Sequence, residues 1–221
     1  MITTINYKGH EIRFEVTNPG DHLQKYWLKG HFYEERMLHF IQKFRMYKQP
    51  PVVVDVGACI GNHTIFFARV MSANVYAFEP VRENMDHIKR NALLNVVMKQ
   101  ITFIPHGAGD SRSMVKFKKG PDGNCGMGRI SLDGSDTVNL VPIDEVISQS
   151  HEVDILKIDV EGYNIPVLEG ARYTIEHDHP EIYIEAGTDP ELQEVKDFLL
   201  PLGYTFYPKP FNATPTWFFY T

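Results

Sequence analysis

One glycine-bearing turn and a set of acidic strand ends carry the chemistry legible in this 221-residue sequence. Asp55-Val56-Gly57-Ala58-Cys59-Ile60-Gly61-Asn62-His63-Thr64 sets an acid at the end of an apolar, β-branched run and two glycines ahead of a helix-forming stretch. Gly57 and Gly61 let the backbone turn sharply and approach a ligand with no Cβ in the way. The helix that follows presents free amide N–H groups. In open α/β sheets, ligands bind at such carboxyl ends of strands. The spacing is D-x-G-x-x-x-G, with Cys59 where a dinucleotide fingerprint would have its middle glycine. An acid two residues before the first glycine suits a cationic, amino-acid-bearing ligand better than a pyrophosphate. S-adenosylmethionine, with its sulfonium and ammonium, meets that description. Asp55, Gly57, Ala58, Gly61, Asn62 and His63 are the candidate contacts, with His63 open between a ligand contact and a helix cap.

Three further clusters follow in chain order. Glu79 and Pro80 stand 18 and 19 residues past Gly61, at the end of a second strand; an acid there can accept hydrogen bonds from both ribose hydroxyls. His106-Gly107-Ala108-Gly109-Asp110 closes a third strand. Gly107 and Ala108 leave room for a flat adenine, and Asp110 is a candidate for its amino group. Asp154-Ile155-Leu156-Lys157-Ile158-Asp159-Val160-Glu161-Gly162 is a buried strand ending in acids. Burial and mutual repulsion raise a carboxyl pKa, which is one way to make a general base. Asp159 and Glu161 share a face if the strand persists, Lys157 can pair with Asp159, and Glu185 can join them. The same residues could instead form a structural ion-pair network. Acids alone at this spacing are weak grounds for a divalent metal, and none is assigned.

These residues need elements to position them. Thr4–Tyr7 and Glu11–Val16 read as a hairpin, and Asn18-Pro19-Gly20-Asp21 as a turn. Apolar spacing predicts a helix over Phe32–Tyr47, stopped by Pro50-Pro51. Val52–Val56, Asn74–Phe78, Ile101–Ile104, Val153–Ile158 and Glu181–Ile184 are expected strands, alternating with helices over Thr64–Met71, Arg82–Asn95, Tyr163–His177 and Pro190–Leu202. Alternation of this kind means an α/β fold: an open, Rossmann-like, mostly parallel sheet with helices on both faces. Tyr204–Tyr207 and Thr216–Tyr220 have no helix between them and should pair antiparallel. Residues 110–150 break the rhythm, with a strand at Met114–Lys118 and then Gly120, Gly123, Gly126, Gly128 and Gly134. A glycine-rich insertion of that length is either functional or disordered.

Composition bounds the function. The chain is 43% hydrophobic and has 14 Phe and 11 Tyr, ample material for a core. Its net charge of −6 divides unevenly: +3 over residues 1–50, zero over 51–150 and −9 over 151–221. No basic stripe is present, which argues against a long nucleic acid as partner. Two cysteines do not make a disulfide framework and have no C-x-x-C partner, so a reducing, cytoplasmic location is expected and a zinc site is not. The first residues hold no basic stretch followed by an apolar run, and no stretch reaches membrane-spanning length, so neither leader nor membrane is expected. One domain is expected over 1–221, with 1–49 as a hairpin-and-helix cap and 50–221 as the core. Oligomeric state is not readable.

Taken together, these segments resemble the FkbM family of S-adenosylmethionine-dependent methyltransferases. Gly30-His31-Phe32-Tyr33-Glu34 is similar to the family's G-x-[FY]-Y-E entry segment, and Asp55–Thr64 to its D-V-G-A-N-I-G-x-H-T. Ala77-Phe78-Glu79-Pro80, the Asn91 and Asn95 pair, Lys157–Gly162, Val167–Ala171 and Pro180–Glu185 follow in order. Two positions depart from it: the family has Asn where Cys59 stands, and an acid where Asn164 stands. The resemblance implies a class I methyltransferase fold and O-methylation of a sugar, a polysaccharide or a natural-product-like small molecule. It adds Tyr33 and Glu34 to the candidate contacts. Asp159 or Glu161 would take the acceptor's proton, and residues 119–136 would close over the substrate with the cap. The rival readings are a 2′-O-methyltransferase of RNA and a binding domain that keeps the cofactor without turnover.

Overall fold

A computed structural model of the chain describes residues 1–44, 50–121, 124–147 and 151–221. The end of the expected cap helix (45–47) and Gly123 lie outside them. Strands β1 (Ile2–Tyr7) and β2 (His10–Glu15) form the expected antiparallel hairpin. It reverses at Lys8-Gly9, both with positive φ, the geometry that matches a two-residue turn to strand twist. A short helix that the apolar pattern did not reveal, α1 (Gln24–Leu28), precedes α2 (Glu35–Phe44). Tyr33 and Glu34 therefore lie in the entry to α2 rather than within the expected helix, with Glu34 at φ 58°.

The central sheet comprises β3 (Val52–Val56), β4 (Asn74–Phe78) and β5 (Ile101–Ile104) on one side. Helices α3 (Asn62–Val70) and α4 (Arg82–Leu94) connect them. On the other side stand β10 (Ile155–Ile158), β11 (Glu181–Glu185), β12 (Thr205–Phe206) and β13 (Thr216–Tyr220). The order is β12-β13-β11-β10-β3-β4-β5, parallel except that β13 runs antiparallel to both neighbours. Both faces are covered, and the side chains divide by the two-residue period of a strand. Val53, Val75, Ile155 and Tyr183 join one core with α3, α4 and the N-terminal hairpin. Val54, Val56, Leu156, Ile158, Ile182 and Ile184 join the other, with the C-terminal helices. Burial on both faces is why these strands read as continuous apolar runs.

Two expectations are corrected. The insertion does not stay a loop: β6 (Gly107–Ala108), β7 (Ser113–Lys118), β8 (Arg129–Ile130) and β9 (Asp136–Val141) build a second sheet in the order β6-β9-β7-β8. A one-turn helix, α5 (Ile143–Val146), follows. The predicted helix over Tyr163–His177 is two helices, α6 (Asn164–Glu169) and α7 (Arg172–Asp178). The break falls at Gly170, where a Cβ would sit 1.9 Å from the Gly109 carbonyl oxygen. Beyond α8 (Asp189–Leu199), closed at its start by a capping box between Thr188 and Glu191, the chain ends in the β12–β13 hairpin. No helix among the described residues is long and apolar enough to cross a membrane.

The N-terminal hairpin is held to the core by polar clamps. Asn91 accepts from the Glu15 amide (2.8 Å) and donates to the Ile60 carbonyl (3.0 Å). Asn95 accepts from the Arg13 amide and donates back to the Arg13 carbonyl. The N-x-x-x-N spacing thus serves architecture, since residues four apart share a helix face.

Candidate functional site

The site is built where β3, β4, β10 and β11 end. Register pairs Lys157 on β10 with Asp55 on β3. The Lys157 ammonium lies 3.4 Å from Asp55, 3.4 Å from Asp159 and 3.5 Å from the Gly57 carbonyl, with almost no exposure. Burial opposes its charge, but Asp159, Asp55 and Glu34 together outweigh burial and hold its pKa above the ordinary lysine value. Asp55 is wholly buried and accepts from the Thr64 hydroxyl at 2.6 Å. It has no exposed surface and sits behind the turn, against Lys157. Asn62 is bonded to the N-terminal segment. Its oxygen accepts from the Trp27 indole and the Tyr33 amide, and its NH2 donates to the Tyr33 carbonyl. It ties the cap to the first turn of α3.

Gly57 is required by contact as well as by turn. With φ 75°, a Cβ there would lie 1.9 Å from the Asp159 carbonyl oxygen. Gly57, Glu79, Pro80, Ala108 and Asp159 line a half-open cavity at these strand ends. Glu79 accepts from the Cys59 amide (2.9 Å), the Val81 amide (2.8 Å) and the Asn84 side chain (3.4 Å). Burial pushes its pKa up to about 7 against those donors. Gly107 stands beside the cavity, where a Cβ would press on Leu140 and Pro80. Ala58 and Gly61 are buried within the turn, and Asp110 is exposed, outside the cavity. Phe117, Arg129, Leu140 and Tyr163 also line it. The sequence pointed to none of these four; three belong to the second sheet, whose strand β9 was not anticipated.

The acids converge by a different route from the one expected. Strand β10 stops at Ile158, so Asp159 and Glu161 do not share a strand face. Glu161 (φ 50°) and Gly162 (φ 92°) instead turn the chain back. Asp159, Glu161 and Glu185 each bring a carboxylate oxygen to within 4.8 Å of the others. Burial raises all three; Lys157 pulls Asp159 back while Glu34 raises it, Asp159 raises Glu161 further, and Asp159, Glu161 and Glu34 carry Glu185 to about 9. Three such oxygens match the donor set of a hard divalent cation, although acidic groups commonly cluster without one. Glu34 lies 3.2 Å from His63 Nε2, both buried. The Tyr33 hydroxyl next to it is pushed up by burial, then by Glu34, Asp159 and Glu185.

The two cysteines, far apart in sequence, meet with their sulfurs 3.2 Å apart at the cavity wall. Cys59 adopts φ 49°, a left-handed conformation that Asn tolerates better than most residues. That accounts physically for the asparagine common at this place in the pattern.

A seven-stranded sheet with its last strand reversed, and a ligand cavity at the carboxyl ends of its central strands, defines a class I methyltransferase fold. Within that class, the chain belongs to the FkbM methyltransferase family: the Methyltransferase FkbM domain matches residues 55–206. The hexuronic acid methyltransferase AglP of Haloferax volcanii is 29% identical over 148 residues, which are 65% of this chain and 60% of that protein. Methyltransferase FkbM from Methylobacillus flagellatus superposes with a TM-score of 0.65 at 21% identity, over 84% of this chain and 47% of that one. The N-terminal domain of human METTL16, solved in complex with SAH, gives 0.51 at 11% identity, over 93% and 71%. At these identities the two structures speak for the fold. The chain matches only about half to three-fifths of the length of its FkbM and AglP relatives.

Proposed function

We propose that the chain is an S-adenosylmethionine-dependent O-methyltransferase acting on a hydroxyl of a sugar or glycan, with residues 1–49 as a cap on a single catalytic unit. The observation that carries this reading is the juxtaposition of the cavity lined by Glu79, Pro80 and Ala108 with the carboxylate cluster, Asp159 belonging to both. The cavity residues suit the cofactor. Glu79, anchored by two amides, has carboxylate lone pairs left for ribose hydroxyls. Pro80, Ala108 and Leu140 offer an apolar slot for adenine. The Gly57–Gly61 turn leaves backbone room for the amino-acid portion. The bound cofactor supplies an electrophilic methyl group on its sulfonium.

The residues of this chain would do the rest. Asp159 would accept the proton of the acceptor hydroxyl as that oxygen takes up the methyl group the cofactor would supply. Lys157 favours the ionised form of Asp159 against burial, and Glu185, protonated at neutral pH, can donate a hydrogen bond to the acceptor. Glu161 is the second candidate for the proton. Alignment of the reacting atoms provides much of the acceleration, since the methyl is already activated. The relative named for hexuronic acid supports a sugar acceptor. The RNA reading gains nothing from Lys157, which is enclosed between Asp55 and Asp159. Isothermal titration with S-adenosylhomocysteine tests the cofactor half: binding in the parent chain, weakened about tenfold or more in Glu79→Ala through loss of charge-assisted hydrogen bonds. No binding by the parent chain would overturn it. Transfer of radiolabelled methyl to glycan acceptors, abolished in Asp159→Asn with cofactor affinity kept, tests the other half and separates turnover from mere binding.

A further inference from the structure

We propose that Cys59 and Cys125 are a thiol pair open to oxidation by low-molecular-weight disulfides, and that the bond they form latches one wall of the cofactor cavity. This rests on the methyltransferase reading and adds a control to the same cavity.

Position comes first. The two sulfurs come from places 66 residues apart in the chain and lie 3.2 Å from each other. Each belongs to a different part of the molecule. Cys59 stands in the Gly57–Gly61 turn, where its amide donates to Glu79 (2.9 Å). Cys125 opens a short helical turn, Cys125–Met127, in the insertion between β7 and β8. Its amide donates to Asp21 (3.1 Å), a buried carboxylate that also accepts from the Gln24 amide (3.0 Å) at the start of α1. Cap, insertion and cofactor turn therefore converge on this one contact.

The contact holds a partition. Asn84, Phe117, Cys125 and Gly128 line both the cofactor cavity and an outer groove that reaches Lys119 and Pro121. These residues thus separate cavity from surface, and all but Asn84 come from the insertion. Gly128 rests so closely on the Phe117 ring that a Cβ would lie 2.6 Å from it. Between Cys125 and the cofactor turn there is only a sulfur–sulfur contact, and a thiol is a weak donor and a weak acceptor. In the reduced chain the partition can therefore swing outward to admit and release a ligand. A disulfide replaces the weak contact with a covalent bond and fixes the insertion against the turn. The asparagine of the family pattern at the place of Cys59 could form no such bond.

The bond-forming chemistry balances. Both thiols are partly exposed and line the cavity, so a small disulfide reaches them through it. The Cys59 thiol is held well above its ordinary pKa by its bond to Cys125 and by burial, so Cys125 attacks first. Its thiolate takes one sulfur of the small disulfide and expels the other as a thiolate. Cys59 then gives up its proton and attacks the Cys125 sulfur, expelling the second thiolate. Two protein thiols lose two electrons and two protons, and the small disulfide gains both and leaves as two thiols. An excess of small thiol runs the exchange backward.

The test compares the reduced chain with the chain treated with glutathione disulfide. Hydrogen-exchange mass spectrometry reads the wall directly. Amides of Cys125–Ile130 should exchange slower by about tenfold or more once the bond forms, since a disulfide across so long a loop shifts local opening by at least that factor. Release of pre-bound radiolabelled S-adenosylhomocysteine should slow by a similar factor, and a thiol reductant should restore both rates. Cys125→Ser and Cys59→Asn should show neither change on treatment. Failure of the Cys59–Cys125 bond to form, unaltered rates in the bonded chain, or the same slowing in either variant overturns the proposal. A reduced chain that binds no S-adenosylhomocysteine overturns the cofactor reading instead, and the exchange measurement still decides whether the bond fixes the wall.

Discussion

Replacing Lys157 by methionine probes the buried charge pair and the proposed base in one molecule. The ammonium sits 3.4 Å from each of two carboxylates, and Asp55 has no exposure at all. Coulomb's law at an effective permittivity of about 20 gives about 5 kcal/mol for a unit pair at 3.4 Å. Desolvation of both partners absorbs much of that in the intact pair. Removing the lysine alone leaves Asp55 charged, buried and held by the Thr64 hydroxyl, which is expected to cost about 3–5 kcal/mol. Urea unfolding followed by fluorescence measures it. The double variant Lys157→Met/Asp55→Asn should recover more than half of the loss, because the orphaned charge is gone. The pH profile separates structure from chemistry. Lys157 lowers the Asp159 pKa against burial, so its removal should carry the acid limb of methyl transfer upward by about 1–3 pH units. That shift should persist in the double variant, where stability has returned. A Lys157→Met variant within about 1 kcal/mol of the parent would refute the stability argument. An unmoved acid limb would refute the role given to Asp159.

Other expectations follow from particular contacts. Gly57→Ala drives a Cβ into the Asp159 carbonyl oxygen at 1.9 Å and adds a positive-φ penalty, so thermal unfolding should show a loss of about 3 kcal/mol or more. The Glu185 carboxyl rises from 4.5 to about 9 through burial and then Asp159, Glu161 and Glu34. The folded state thus holds a proton that the unfolded state has released. Its stabilising contribution is full below pH 4.5 and is lost as pH rises through about 9. Denaturation midpoints measured across that range should fall with pH, and Glu185→Gln should flatten the slope. Incubation with a low-molecular-weight disulfide should join Cys59 to Cys125, since their sulfurs are already 3.2 Å apart. Mass spectrometry should find the cross-linked peptide in the parent chain and none in Cys125→Ser.

The main sheet was legible because burial on both faces leaves an unmistakable signature. Val52–Val56, Asn74–Phe78 and Ile101–Ile104 read as apolar runs and stand where expected. The second sheet was hidden for the opposite reason. β7 carries exposed and half-buried residues with only Phe117 fully buried, and glycines crowd its partners. Those glycines follow from tertiary contact, which no local pattern announces: a Cβ at Gly128 would strike the Phe117 ring at 2.6 Å. The split between α6 and α7 has the same origin in Gly170. Site residues divide likewise. Acid positions at strand ends were readable, but not whether an acid faces the ligand or the core. Asp55 and Glu79 look equivalent in sequence; only register, which sets Lys157 opposite Asp55, turns one inward and leaves the other on the cavity.

Register also explains how so acidic a site can exist. Residues 151–221 carry a net charge of −9, and three of those acids are drawn to within 4.8 Å. Ionised together and buried, they would repel one another strongly. One buried cation, Lys157, offsets Asp159 and Asp55, and a retained proton offsets Glu185. On the proposed mechanism the cluster would hold, side by side, Asp159 to accept a proton and the protonated Glu185 to donate a hydrogen bond. The same balance limits what can enter. An anionic group is turned away from the acids, and only a hydroxyl approaches them with its proton foremost.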